Sequence, residues 1–75
     1  MSATRWGIVS AGRISADFVK AVATLPGTEH VVVAVAARQL EAAQAFAKAH
    51  GIPRSYGSYQ EIIDDDAIDV LYIGT

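Results

Sequence analysis

Cysteine is absent from this chain of 75 residues, which excludes disulfide bonds, thiolate metal sites and a cysteine nucleophile. Charge of either sign is also sparse, with six lysines and arginines against eight acidic residues and a net charge of -2. The basic residues form no stripe, because they are scattered along the whole sequence at Arg5, Arg13, Lys20, Arg38, Lys48 and Arg54. Nucleic acid is therefore not an expected partner.

Long hydrophobic runs are missing as well. The longest purely apolar stretch, residues 31–37, is far too short to cross a bilayer, and residues 1–10 lack the pattern of a signal peptide. We therefore expect a cytoplasmic protein with no membrane partner. The length allows one domain. Because 52% of the residues are hydrophobic, we expect part of the apolar surface to be meant for another domain or a partner.

The chain alternates short apolar runs with segments of helical periodicity. Residues 6–10 predict a buried strand, and residues 30–37, apolar on both faces, predict a central parallel strand. A short edge strand at 54–56, a short capped helix from Ser58 and a strand at 68–73 follow. Two longer helices are predicted between the strands, with apolar faces at Ile14, Phe18, Ala21, Val22 and Leu25, and at Leu40, Ala43, Phe46, Ala47 and His50.

This alternation predicts an α/β fold of the Rossmann type, with three αβα layers. Its partial parallel sheet would be the first half of a dinucleotide-binding domain. We expect the first strand at the centre, the second and third to one side and the last strand on the other. Such sheets bind ligands at the carboxyl ends of the strands, at the switch point between the first and last strands. The last strand is left with an open edge.

The turn after the first strand, Ser10-Ala11-Gly12-Arg13-Ile14-Ser15, is a modified form of the dinucleotide fingerprint G-x-G-x-x-G. Gly12 keeps the middle position, where a pyrophosphate approaches the backbone, while serine replaces both outer glycines. We expect Ser10 to make a tight turn at some steric cost, and Ser15 to allow close packing of helix against strand. The alternative is an ordinary turn in an α/β domain that binds no nucleotide; the flanking strand and helix favour binding.

The end of the second strand predicts which dinucleotide is bound. An NAD site places Asp or Glu there for the ribose 2′-hydroxyl, whereas this chain has Ala36-Ala37 followed by Arg38. A guanidinium binds a 2′-phosphate through charge-assisted hydrogen bonds, and a carboxylate would repel it. We therefore expect NADP, with Arg38 on the 2′-phosphate; the alternative is an arginine exposed on a loop. Arg13, in the first helical turn, either adds positive charge near the phosphates or is solvated.

Catalytic and metal-binding patterns are missing. The run Asp64-Asp65-Asp66 lacks the spacing of a calcium loop and predicts a solvated helix end rather than a metal site. His30 and His50 have no acid or nucleophile at a suggestive spacing, so we expect both to be structural or exposed. The tyrosines are expected to pack.

Four segments together resemble the glucose–fructose oxidoreductase and inositol dehydrogenase family: residues 6–15, 33–38, 56–59 and 69–75. The resemblance covers essentially the whole chain. It implies that residues 1–75 are a truncated NADP-binding Rossmann domain of an oxidoreductase that transfers hydride between nicotinamide and a vicinal diol or an aldose. A departure is Gln39, where Asp or Ser would cap the second helix better. The cofactor-binding residues that carry over are Ser10, Gly12, Arg13, Ile14, Arg38 and Thr75.

The resemblance also implies what these residues leave out. Family members are several times longer, with a substrate domain that often forms the dimer, and their catalytic lysine lies in a Glu-Lys-Pro motif shortly after the strand that ends here. We therefore expect no catalytic residue in this chain, no activity from it alone, and a homodimer for the full-length enzyme. One alternative is a noncatalytic chain that only binds nucleotide or associates with other chains. Another is a domain for an adenine ligand without redox chemistry, which the position of Arg38 disfavours.

Overall fold

Strands and helices alternate along the chain in the expected order. The computed structural model describes residues 3–74. The strands are Thr4–Val9 (β1), His30–Ala36 (β2), Arg54–Tyr56 (β3) and Val70–Ile73 (β4). The helices are Arg13–Ala23 (α1), Leu40–His50 (α2) and Tyr59–Ile63 (α3). None of the helices in this part of the chain is long and apolar enough to span a membrane.

The four strands form one parallel sheet in the order β3-β2-β1-β4. The predicted arrangement is confirmed: β1 is central, and β4 lies on the side away from β2. Right-handed crossovers explain the layers, because the chain passes from β1 through β2 to β3 in one direction and then returns to β4. This reversal places α1 and α2 on one face of the sheet and α3 on the other.

Each face of the sheet carries its own apolar cluster. The cluster under α1 and α2 contains Ile8, Val19, Val35, Phe46, Ala47 and Ile52. The cluster under α3 contains Val9, Ala34, Ala36 and Ile62. Because β1 and β2 are covered on both sides, their sequences show no alternation of polar and apolar residues.

Helix α1 buries a different face from the one that its apolar residues predict. Its buried residues are Ser15, Val19 and Val22, whereas Ile14 is 52% and Leu25 46% exposed. The helix is thus rotated by about a quarter of a turn from the expectation. The physical reason is that the small side chain of Ser15 lets α1 approach the end of β4, a packing requirement that a hydropathy pattern does not contain.

An aromatic group holds α1 on the sheet. Phe18 meets the Trp6 ring edge-on, with ring centroids 5.2 Å apart, and stacks on Tyr72 at 3.8 Å. Trp6 Nε1 donates a hydrogen bond to His30 Nδ1 at 3.3 Å. His30 and Tyr72 therefore have packing roles, as expected.

The prediction of a solvated acidic run is wrong for Asp65. Its side chain is only 9% exposed and lies 3.2 Å from the Arg54 guanidinium. It also accepts hydrogen bonds from Tyr56 Oη at 2.7 Å and from the Ala67 backbone N–H at 2.9 Å. The Tyr56 hydrogen bond is the main cause that lowers the pKa of Asp65 and raises the pKa of Tyr56. Asp65 therefore links β3 to the loop before β4. Its carboxylate can be buried because three donors of the protein replace its hydrogen bonds to water.

Candidate dinucleotide site

The parallel strands end level with one another at one edge of the sheet. Val9 is in register with Ala36 of β2 and Ile73 of β4. The ladder continues one residue further, since Ser10 N–H donates to Ala36 O at 2.8 Å and Gly74 N–H to Val9 O at 3.1 Å. Helices α1 and α2 both begin just beyond this edge, so their first-turn N–H groups point towards it. Sheets of this topology bind ligands at this edge.

Ser10 adopts the turn conformation that glycine supplies in the usual fingerprint. Its φ of 90° lies in the left-handed region, and within residues 3–74 it is the one non-glycine residue with a positive φ. Such a conformation costs about 1–3 kcal/mol and persists only when its surroundings hold it. Here the hydrogen bond from Ser10 N–H to Ala36 holds it. The expected tight turn with a steric cost is confirmed.

Gly12 is the N-cap of α1 and has extended backbone, with φ -89° and ψ -176°. No side chain caps the helix, and no acidic residue stands in its first turn. A Cβ at Gly12 would meet only Ser10 Oγ, at an ordinary 3.6 Å. Packing within residues 3–74 therefore does not require glycine here. Open space beside uncapped helical N–H groups is what a pyrophosphate needs, so these residues fit a dinucleotide.

Ser15 and Gly74 form the close contact between α1 and β4. Both are buried. A Cβ on Gly74 would overlap Ser15 Oγ and lie 3.1 Å from Ser15 N. The expectation that Ser15 serves close helix–strand packing is thus confirmed. Ser15 Oγ is buried and has no hydrogen-bond partner among the described residues, so smallness rather than bonding explains the residue.

Arg38 lies at the beginning of the loop from β2 to α2 and is exposed. It follows Ala37, which is buried and anchored by a hydrogen bond from its N–H to Tyr56 O at 3.1 Å. The ion pairs found between residues 3 and 74 involve Arg5 and Arg54 instead. The Arg38 guanidinium is therefore available to an anion at this edge.

Two residues at the start of α2 remain, Gln39 and Leu40. Gln39 is the N-cap of α2 and makes no capping hydrogen bond, as its departure from the family pattern predicts. Leu40, expected in the core, is 44% exposed. Its Cβ would be 3.1 Å from a Cβ placed on Gly57. Helical periodicity assigned Leu40 to the core because it does not show that the first turn of α2 is less covered than the turns that follow, where Ala43 and Phe46 are buried.

The predicted site residues are thus placed as follows. The turn from β1 to α1 brings together Ser10, Gly12, Arg13 and Ile14, of which Arg13 and Ile14 are exposed. Arg38 stands at the same edge, and Thr75 lies outside the described residues. Gly74 is a position that sequence reasoning left out of the site, although its place after the last strand was a usable signal. No cluster of three His, Asp or Glu side chains within residues 3–74 is arranged to hold a metal ion.

Fold and edge together define a dinucleotide-binding Rossmann domain. Residues 4–75 match the model of the GFO/IDH/MocA oxidoreductase family with an NAD-binding Rossmann fold, and the chain belongs to this family. The family expected from the four sequence segments is therefore confirmed.

Two curated relatives of the chain carry the same name. It is 62% identical over 73 residues to trans-1,2-dihydrobenzene-1,2-diol dehydrogenase of Danio rerio, and 58% identical to the protein of the same name in Homo sapiens. Each alignment covers 97% of this chain but 22% of the relative. The chain thus spans about a fifth of the length of these relatives.

Solved structures agree with the fold. WlbA dehydrogenase from Bordetella pertussis, in complex with NADH and UDP-GlcNAcA, has a TM-score of 0.86 and 29% identity, covering 100% of this chain and 22% of WlbA. A variant of KijD10, a 3-ketoreductase from Actinomadura kijaniata in complex with TDP-benzene and NADP, has a TM-score of 0.82 and 25% identity, covering 95% of this chain and 21% of KijD10. NADH and NADP both occur among these neighbours.

Proposed function

We propose that this chain is the NADP-binding part of a dehydrogenase that transfers hydride between nicotinamide and a vicinal diol or an aldose. The substrate class follows relatives whose name contains a trans vicinal diol; D-xylose is the aldose we would test. Because the chain spans 22% of those relatives, the activity belongs to the natural-length protein.

The observation that carries the choice of NADP is the end of β2. Ala36 and Ala37 are buried there and present no carboxylate, while Arg38 is exposed and has no acidic partner within residues 3–74. A ribose 2′-hydroxyl would find no acceptor side chain at this end of the strand. A 2′-phosphate would find a guanidinium that can bind two of its oxygens.

In this proposal the site residues have different roles in binding the dinucleotide. Gly12 and the uncapped first turn of α1 take the pyrophosphate, with the charge of Arg13 beside it. Ser10 turns the chain into this helix, and Ile14 presents an exposed aliphatic side chain next to it. When bound, the nicotinamide supplies the centre that accepts or donates hydride; the residues of this chain hold and orient the cofactor.

The test is a titration of the natural-length protein with NADPH and NADH, monitored by the fluorescence of the reduced nicotinamide. Arg38→Ala should weaken NADPH binding about 10- to 100-fold, because it removes a charge-assisted contact with the 2′-phosphate. NADH binding should change little. The matched control is Lys48→Ala, which removes the same charge from the last turn of α2 and should leave both affinities unchanged.

A wild-type preference for NADH, or an Arg38→Ala variant with unchanged NADPH affinity, would contradict the assignment. Turnover assays with trans-dihydrodiols and D-xylose test the substrate class. Oxidation of neither with NADP would remove that part of the proposal and leave cofactor binding to be judged by the titrations.

A second candidate function is noncatalytic association through β4. The outer edge of this strand pairs with no strand in residues 3–74, and its residues Val70 and Ile73 are 40% and 64% exposed. Open edges of this kind invite pairing with another chain. Sedimentation velocity of the 75-residue chain tests this: concentration-dependent dimers that Ile73→Lys abolishes support association, and a monomer at all concentrations contradicts it.

Two further properties belong to the proposal, the first implied by the family resemblance and the second expected from the sequence pattern. The natural-length protein would be a homodimer, and it would be located in the cytoplasm. Sedimentation equilibrium and cell fractionation test these two statements separately.

A further inference from the structure

A histidine and the single tryptophan of the chain meet near the amino edge of the sheet, away from the dinucleotide site. His30 begins β2, and Trp6 belongs to the neighbouring strand β1. Trp6 Nε1 donates a hydrogen bond to His30 Nδ1 at 3.3 Å, and both side chains are half-buried. Because an imidazole nitrogen that accepts a hydrogen bond carries no proton, this contact requires neutral His30 with its proton on Nε2.

Trp6 connects His30 to helix α1. Its ring meets the Phe18 ring edge-on at 5.2 Å, and Phe18 stacks on Tyr72 of β4 at 3.8 Å. A proton added at His30 Nδ1 would place a second donor against the indole N–H, and the hydrogen bond between them would be lost. The position of the Trp6 ring, and with it the aromatic contact that holds α1 on the sheet, therefore depends on the neutral form of His30.

The surroundings of His30 contain little that would stabilise its charged form. His30 lines a groove between the C-terminal ends of α1 and α2, to which α1 contributes only aliphatic side chains and α2 contributes His50. The residue of β1 in register with His30 is the uncharged Thr4. Glu29, just before β2, is exposed, and the ion pairs found within residues 3–74 do not involve it. In the part of the chain that the structure describes, no carboxylate therefore compensates for loss of the Trp6 bond.

We propose that His30 is an acid-sensitive switch for the docking of α1. Neutral His30 holds Trp6 against Phe18, and protonation of His30 releases this contact. Histidine is the side chain that ordinarily titrates between pH 5 and 8, so the switch operates in this range. The folded chain loses a hydrogen bond when His30 is protonated, whereas the unfolded chain loses none. The stabilisation is therefore present at pH 8 and is lost as the pH falls towards 5.

NMR spectroscopy of the nitrogen-15-labelled chain tests the contact itself, because a single tryptophan gives a single indole N–H signal. At pH 8, long-range proton–nitrogen spectra should show the His30 proton on Nε2. As the pH falls to 5, the indole proton signal should move upfield together with the titration of the His30 ring, since its hydrogen bond is lost. A His30 proton on Nδ1 at pH 8, or an indole signal that does not move, would overturn the proposal.

Urea unfolding at pH 8 and pH 5, followed by circular dichroism, measures the consequence for stability. Loss of one neutral hydrogen bond should raise the unfolding equilibrium constant of the wild type about two- to tenfold at the lower pH. His30→Asn keeps an acceptor oxygen on Cγ in the place of Nδ1 but takes up no proton, so its unfolding constant should be nearly the same at both pH values. Trp6→Phe removes the donor and should abolish the pH dependence as well.

The matched control is His50→Asn, which removes the other histidine of the groove. His50 lies in the last turn of α2, where a positive charge is favourable, so its removal should leave the loss of stability at pH 5 intact. The proposal is overturned if His30→Asn and Trp6→Phe keep the pH dependence of the wild type, or if His50→Asn abolishes it. If either variant of the Trp6–His30 pair does not fold at pH 8, the other variant and the indole signal of the wild type decide.

Discussion

Replacing Gly74 by alanine tests whether the contact between α1 and β4 sets the position of the cofactor helix. Gly74 is buried at the end of β4. Its N–H bonds to Val9 O at 3.1 Å, so the backbone cannot move away without breaking the ladder between β1 and β4. An added methyl group would point at Ser15 in the first turn of α1.

The size of the effect follows from which atoms the methyl group would meet. It would overlap Ser15 Oγ, and it would lie 3.1 Å from Ser15 N and 3.2 Å from Ser15 Cβ. A backbone nitrogen cannot rotate aside, so α1 must shift. Overpacking of this kind costs about 1–3 kcal/mol of unfolding free energy. Ser15→Gly removes the Oγ and Cβ contacts but not the contact with the nitrogen, so the double variant should recover part of the loss, with a coupling of about 1 kcal/mol.

Urea unfolding of the chain, followed by the fluorescence of Trp6, measures this cost. Trp6 is the single tryptophan of the chain and touches Phe18 of α1, so it reports directly on the docking of that helix. Gly27→Ala is the matched control, because a Cβ there would meet nothing within 4 Å and should change stability by less than about 0.5 kcal/mol. A Gly74→Ala variant as stable as the Gly27→Ala variant, or fully additive effects in the double variant, would refute the reasoning.

Three further predictions concern the two helix N-termini and the salt bridge before β4. Gly12→Ala should leave the unfolding free energy within about 1 kcal/mol of wild type yet weaken NADPH binding at least about tenfold, since the glycine serves the ligand; equal losses of both would contradict this. Gln39→Ser should raise the unfolding free energy by about 0.5–1 kcal/mol by capping α2, measured by urea unfolding, and no gain would count against the uncapped N-terminus. Asp69, bonded by Arg5 through Nε and Nη2 at 3.1 and 2.8 Å, has its pKa lowered from 3.8 to about 2, mainly by that hydrogen bond. Its folded pKa is depressed, so its stabilisation is present above about pH 4 and is lost as the pH falls towards 2; thermal melts should show that Asp69→Asn flattens the loss of stability in this window.

The order of elements and the sheet topology were predictable because they depend on patterns that the sequence shows directly. The unbroken apolar run of β2 marks a strand covered on both faces, and Gly51 ends α2 in the left-handed conformation with a φ of 68°. The sequence also predicted the cap of α3, which is confirmed because Ser58 Oγ accepts a hydrogen bond from Glu61 N–H at 3.3 Å. Each of these signals lies within a few residues of its consequence.

Contacts between distant segments were the part that the sequence did not reveal. The rotation of α1 depends on Ser15 meeting Gly74, which is far away along the chain. The burial of Asp65 depends on Arg54 and Tyr56 in another strand. Leu40 was assigned to the core because periodicity describes the face of a helix and not how far each of its turns is covered. For Ser15 and Asp65 the deciding partner is brought near only by the completed fold.

Each of the three glycine positions of the fingerprint has a different structural requirement. The first position needs a positive φ, and Ser10 meets that need at 90° with a steric cost that glycine would avoid. The third needs a small side chain against Gly74, and Ser15 meets that need with a buried hydroxyl that makes no bond within the described residues. Only the middle position has open space in front of it, where a Cβ would meet nothing closer than 3.6 Å. The first and third positions are constrained by contacts within the chain, and serine satisfies those constraints. The middle position keeps glycine although no contact within the described residues requires it, so a ligand is the reason for glycine there. This distribution is what a bound pyrophosphate would impose, and it explains how a turn with one of three glycines left can still serve a dinucleotide.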